Sequence, residues 1–192
     1  MNARVFIPVD KATFYRFIAR EPEERYEFER GRIVQQMAGG TRNHFKIAGR
    51  IRTMLEQQLD PAKWEALHER GVETADSVRF ADVVVEPASE PGISVSTLRP
   101  VVIVEVLSPS SLDRDLDRKP SEYLSLATLE AYIVASQTEA ACLVWLRGAD
   151  RGFPEEPLEY AAGDVIRISS LSVAISIDEI YRGITLVPDS LS

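Results

Sequence analysis

The sequence predicts a mixed α/β fold in which helices pack on a central mixed β-sheet. Three observations carry that expectation. Residues 42–59 repeat apolar side chains at helical spacing, residues 100–107 form an almost unbroken β-branched run, and short strand signals crowd the second half. The length of 192 residues, 45% of them hydrophobic, suits one domain spanning 1–192, since domains commonly hold about 100–200 residues.

Taken in order, Asp10 can cap a helix over residues 11–19, where Phe14, Phe17 and Ile18 fall on one side. Residues 21–24 end it. Residues 25–29 and 32–37 flank a tight turn at Arg30 and Gly31, which predicts an N-terminal β-hairpin closed by residues 39–41. In the helix over 42–59, Ile47, Ile51, Met54 and Leu55 share a face, with His44 on the same side. Arg42, Lys46, Arg50, Thr53 and Gln57 lie opposite. Asp60 and Pro61 stop this helix. Strands follow at residues 64–68, 78–85 and 100–107, then a short helix after Pro120. Strands at 131–135, 142–147, 158–161, 165–168 and 173–177 complete the chain.

Composition excludes several classes of protein. Cys142 is the one cysteine and sits in an apolar run, so a disulfide framework or a cysteine-based zinc site is not available. No stretch approaches the roughly 20 apolar residues of a membrane span, and the N-terminus lacks a basic region feeding an apolar core. The expectation is therefore a cytoplasmic protein that makes no membrane contact. The formal net charge is −8, which disfavours holding nucleic acid by bulk charge. That charge is uneven: residues 1–70 carry 13 basic and 10 acidic side chains, whereas the remainder has a net −11. A polyanion would be met by the first third of the chain.

Two acids do not fit their strands. Asp82 opens the run Asp82-Val83-Val84-Val85, and Glu105 lies inside Ile103-Val104-Glu105-Val106-Leu107. A charge among β-branched neighbours is costly unless it is paired or bound to a metal. If the two strands pair, both carboxylates face one point and offer hard oxygen ligands to Mg²⁺ or Mn²⁺. Lys119 precedes Pro120, which favours the first turn of a helix, so its ammonium can turn towards a strand end. Acid, acid and lysine together form a phosphodiester-cleaving constellation: the carboxylates hold a metal and the lysine serves the attacking water. The competing readings are a solvent-facing strand-end acid for Asp82 and a surface lysine for Lys119.

With these residues in place, the chain resembles the putative restriction endonuclease family of the PD-(D/E)XK nuclease superfamily, a bacterial group. The likeness covers residues 26–145. Its landmarks are Tyr26-Glu27-Phe28 before Gly31, His44 at a helix start, Asp82-Val83-Val84-Val85, and Glu105-Val106-Leu107-Ser108-Pro109-Ser110. Asp115, Lys119, Tyr123 and the strand start Leu129-Glu130-Ala131-Tyr132 follow. The resemblance implies a restriction-endonuclease-like fold. It makes Asp82 and Glu105 metal ligands, helped by the Val106 carbonyl, and Lys119 the catalytic lysine. Glu27 would answer to the superfamily's first-helix acid in role, and His44 to a histidine facing the site. Leu107 stands where the superfamily usually has its lysine, so Lys119 would supply it from the following helix. Ala81 replaces a common proline, and Pro120 fixes the backbone beside Lys119.

The leading function is then a Mg²⁺- or Mn²⁺-dependent endonuclease acting on DNA. Arg42, Lys46 and Arg50, four residues apart on one helix face, would form a phosphate-contacting ridge. A solvated helix face is the plainer reading of that trio. Cutting both strands of a duplex takes two sites, which points to a homodimer. The alternative is a nuclease-fold module that no longer cleaves and acts as a binding or oligomeric accessory. A glycosidase using the two acids would leave Lys119 without a role.

Overall fold

The computed structural model describes residues 7–21, 24–36, 40–107 and 118–186. The expectations for Gly39, for Ser108 to Ser110 and for Asp115 fall outside the described residues.

Helix α1 (Lys11–Ile18) starts where Asp10 accepts from the Thr13 amide at 2.7 Å. The hairpin follows as β1 (Arg25–Glu29) and β2 (Arg32–Gln36), and its turn places Arg30 and Gly31 at φ 45° and 82°. Helix α2 (Arg42–Gln58) is capped by Thr41, whose hydroxyl accepts from the His44 amide at 3.1 Å. Thr41 thus starts a helix as well as ending the hairpin segment.

Strand β3 (Trp64–Glu73) runs five residues beyond the expected end at residue 68 and pairs antiparallel with β4 (Ser77–Pro87). In the polar run that suggested an end, His68 and Glu69 stay exposed while Arg70 is buried. Arg70 is paired with Glu86 at 3.0 Å, and Gly71 lets β5 (Ser96–Thr97) approach so closely that an added Cβ would meet the Val95 carbonyl at 2.7 Å. β5 itself gave no sequence signal, being two residues long.

β6 (Val102–Val106) pairs antiparallel with β4 and parallel with β7 (Ala131–Ala135), so the sheet is mixed as expected. β8 (Ala141–Leu146) and β9 (Leu158–Ala161) extend it in antiparallel steps. The short helix α3 (Lys119–Tyr123) has Lys119 as its first residue. β10 (Val165–Ile168) and β11 (Val173–Ser176) form a separate two-stranded sheet, followed by helix α4 (Ile177–Tyr181). The central strands β4, β6 and β7 are covered on both faces.

One face packs against α2, α4 and the β10–β11 sheet, with Ile47, Ile51 and Leu55 meeting Val83, Val85, Val102 and Val104. The other is closed by Tyr123, Leu129, Tyr132 and Trp145. A third, small cluster of Phe14, Phe28 and Val78 joins α1 to the hairpin. Among the described residues no helix is long and apolar enough to cross a membrane.

Ile51 is fully buried between α2 and the sheet, whereas Ile93 is 95% exposed. Ile51→Ala should cost about 2–5 kcal/mol of unfolding free energy, the usual range for a large-to-small core change. Ile93→Ala should stay within about 0.5 kcal/mol of the parent. Urea denaturation of the two variants checks both.

Candidate active site in the fork of the sheet

β4 has two edges and three strand partners. β3 lines one edge from end to end. The other is shared: β1 pairs at Val78 and Ser77, β6 pairs from Val83 to Val85, and the stretch between belongs to neither strand. β1 and β6 therefore splay apart along one edge, and the backbone groups left in the fork need other partners.

Carboxylates supply them. Glu27 of β1 accepts from the Phe80 amide at 3.1 Å, and Asp82 accepts from the Val106 amide at 2.7 Å. Continuing the β4–β6 register by one step sets Asp82 opposite Glu105. The β3 side is distorted at the same level. Glu69 holds a φ of 51°, and the β3–β4 pairing skips between His68 with Val83 and Arg70 with Ala81.

The fork collects the expected site residues from five elements. The second oxygen of Asp82 lies 3.1 Å from His44 Nε2, which the first turn of α2 delivers from above. Glu105, 5% exposed, accepts from the Tyr123 hydroxyl at 3.0 Å and pairs with Lys119 Nζ at 3.0 Å. Pro120 does not turn the ammonium away: it is the second residue of α3, and Lys119, the first, reaches Glu105 of β6. Glu27 is close enough to feel the Lys119 charge.

Sequence reasoning missed the cation at the centre. Arg79, buried on β4, donates to Glu27 at 3.0 Å, to Glu29 at 2.7 Å and to Glu122 at 2.6 and 3.0 Å. Its signal was an arginine inside an otherwise apolar strand start. Glu122 also accepts from Ser77 Oγ at 2.8 Å, and Gln36 donates to Glu27 at 3.1 Å. Gln137, buried after β7, was missed as well; it accepts from the Thr41 hydroxyl and donates to the Leu107 carbonyl, tying the start of α2 to the end of β6.

These contacts set the ionisation of the site. The hydrogen bond from His44 to Asp82 raises the imidazole above its ordinary value against the opposing effect of burial, and Glu105 adds to the rise. Burial lifts the Glu27 carboxyl above the usual range even though Lys119 and Arg79 oppose it. Burial alone would raise Glu122 too, but the hydrogen bonds and charge of Arg79 bring it below. Tyr123 is held protonated, well above a free phenol, by burial and by Glu105, so it serves as a donor.

Five carboxylates (Glu27, Glu29, Asp82, Glu105, Glu122) meet two basic side chains, Arg79 and Lys119. The remaining negative charge suits a cation. Among the described residues no three His, Cys, Asp or Glu side chains converge into a metal cage. A pair of carboxylates with no third side-chain ligand fits Mg²⁺ or Mn²⁺, which take one or two carboxylates and fill the other positions with water and phosphate. Asp82, Glu105 and the Val106 carbonyl are the residues that would hold it.

The basic ridge is spread out. Arg42 is exposed and Lys46 half-buried, whereas Arg50 reaches across to the Ile180 carbonyl of α4 at 2.8 Å. At 100° per residue, Lys46 points away from the side of α2 that carries His44.

Comparison with known proteins agrees with this architecture. A Synechocystis sp. protein, slr1290, described only as uncharacterized, is 27% identical over 165 residues, covering 84% of this chain and 85% of its own. The crystal structure of a protein from Anabaena variabilis, described as a putative nuclease belonging to DUF820, superposes with a TM-score of 0.68. It shares 16% sequence identity and covers 83% of this chain and 90% of its own. That likeness shows a shared mixed α/β fold with a central mixed sheet. The Uma2 family, described as putative restriction endonuclease, matches residues 12–178, and the chain belongs to that family.

Proposed function

We propose that this protein is a metal-dependent endonuclease that hydrolyses DNA phosphodiester bonds in the fork between β1 and β6. The observation that carries the reading is the meeting of Asp82, Glu105 and Lys119 from two adjacent strands and the following helix, in a cluster with excess negative charge. Membership of a family described as putative restriction endonucleases supports it.

Each side chain has a task that its contacts suit. Asp82 and Glu105 would hold Mg²⁺ or Mn²⁺. When bound, that ion lowers the pKa of a water and offsets charge developing on the phosphate. Lys119 presents an ammonium with three donors, which orients the attacking water and stabilises the same charge. His44, kept protonated further up the pH scale by Asp82, can donate to a non-bridging phosphate oxygen. Glu27, fixed by the Phe80 amide and Arg79, orients water at the far side of the fork. Arg42 and Lys46 contact the phosphate backbone; Arg50 contributes less, since its guanidinium is already engaged. A duplex has two strands, so a homodimer would bring a second fork to the other strand.

Calorimetric titration with Mn²⁺ should show binding to the wild type and at least about tenfold weaker binding to Asp82→Ala and Glu105→Ala. Binding that ignores both changes removes the metal centre from this fork, and leaves the fold as a non-cleaving binding or oligomeric module.

Supercoiled plasmid with Mn²⁺ should be nicked by the wild type, and Lys119→Ala should slow nicking by about 10²–10³, the usual cost of removing one positioned donor to a developing charge. Equal rates would place the chemistry elsewhere.

In chelator, the His44 ring resonances should titrate above the ordinary 6.5, and Asp82→Asn should return them towards it. A histidine raised in the folded state adds stability that is complete below about pH 6.5 and disappears as pH rises through the raised value. The stability gap between wild type and Asp82→Asn should therefore narrow above that value, as read by denaturation at several pH values.

A further inference from the structure

Lys119 stands on a helix too short to hold itself. α3 spans Lys119–Tyr123, and an isolated helix of one turn or so is far below the length at which hydrogen bonding outweighs nucleation. Its orientation must come from tertiary ties. Pro120 and Tyr123 are buried, and two side-chain ties stand out among the described residues. Tyr123 is sunk into the core against Tyr132, with its hydroxyl on Glu105. Glu122 takes two hydrogen bonds from Arg79, at 2.6 and 3.0 Å, and a third from Ser77 at 2.8 Å.

The two ties differ in what they fix. Tyr123 anchors the C-terminal end of the helix in the core. Glu122 lies three residues after Lys119, on an adjacent face, so a forked grip on Glu122 sets the roll of the helix and hence where Lys119 points. The same guanidinium, through its other nitrogen, holds Glu27 and Glu29 of β1. One planar group thus keeps α3 and β1 in register with β4.

We infer that Arg79, acting through Glu122, is the positioning residue that aims the Lys119 ammonium at Glu105 and ties it to the opposite wall of the fork. The catalytic consequence rests on the endonuclease reading; the aiming of Lys119 does not. Arg79 touches neither Lys119 nor Asp82 in the described contacts, so its influence passes through α3 and Glu27.

Selective amine labelling reads the aiming directly. Lys11, Lys46, Lys63 and Lys119 are the chain's four lysines, and the side chain of Lys119 is 12% exposed against 70% for Lys63. Pulse acetylation with peptide mass readout should find Lys119 slow in the wild type. In Glu122→Gln, and in Arg79→Lys if it folds, Lys119 should label at least fivefold faster while Lys11, Lys46 and Lys63 keep their rates. The nicking rate should fall in the same variants at unchanged Mn²⁺ affinity, and Glu122→Gln should add nothing to the loss already caused by Lys119→Ala. A folded Glu122→Gln with unchanged Lys119 labelling overturns the assignment. So does loss of fold in Glu122→Gln, which would make the tie a determinant of stability. If the wild type neither binds Mn²⁺ nor nicks DNA, the endonuclease reading fails while the labelling result still decides the role of Arg79.

Discussion

Two strands competing for one edge of β4 impose the constraint on which this molecule turns. A buried ladder group without a partner costs about as much as a lost hydrogen bond, so a sheet that splits must find substitutes inside the split. Here the substitutes are carboxylates. Glu27 and Asp82 take the Phe80 and Val106 amides that a third strand would have taken, and this is what holds acids in a place where a sheet core would otherwise exclude them. Structural need and chemical provision coincide: the fork that must be filled with acceptors is the fork that gathers negative charge.

The charge then requires its own containment. Buried carboxylates repel one another and lose hydration, and such a cluster persists only when cations and donors meet most of its oxygens. Arg79 meets three acids, Lys119 and Tyr123 meet Glu105, and His44 meets Asp82. The donors come from α2, α3 and β4. The two helices on opposite sides of the sheet are therefore connected through the electrostatics of its middle, while Gln137 braces the outer end by linking Thr41 to Leu107.

What the sequence disclosed follows from what a sequence can encode locally. Glu105 was visible because one acid interrupts a run of six apolar residues, Val101 to Leu107, and its burial follows from the run itself. Lys119 was visible because Pro120 marks a helix start. The hairpin was readable from Arg30 and Gly31, and the inward face of α2 from its spacing. The pairing of Arg79 with Glu122 was not readable. An arginine early in a strand and a glutamate in a charged helix each look solvent-facing until the fold sets them 2.6 Å apart across 43 residues of chain. Gln137 escaped for the same reason. The extension of β3 through Glu69, Arg70 and Gly71 was hidden because local polarity suggests a loop, whereas an ion pair to Glu86 and the close approach of β5 make it a strand. Pairings distant in sequence are the part of this site that propensity and periodicity do not carry.

The small cluster of Phe14, Phe28 and Val78 has a consequence for how the molecule comes apart. The unit made of α1 and the hairpin has two buried apolar side chains of its own, Phe14 and Phe28, closed by Val78 of β4, whereas the main core draws on both faces of five strands, β3, β4, β6, β7 and β8. Opening free energies within one protein vary with the apolar contacts each region commands. The hairpin is thus expected to open before the central strands, and in swinging from β4 it would carry Glu27 and Glu29 away from Arg79. The cluster in the fork would dissolve while the central strands remain folded, so the lifetime of an assembled site is shorter than the lifetime of the fold that surrounds it.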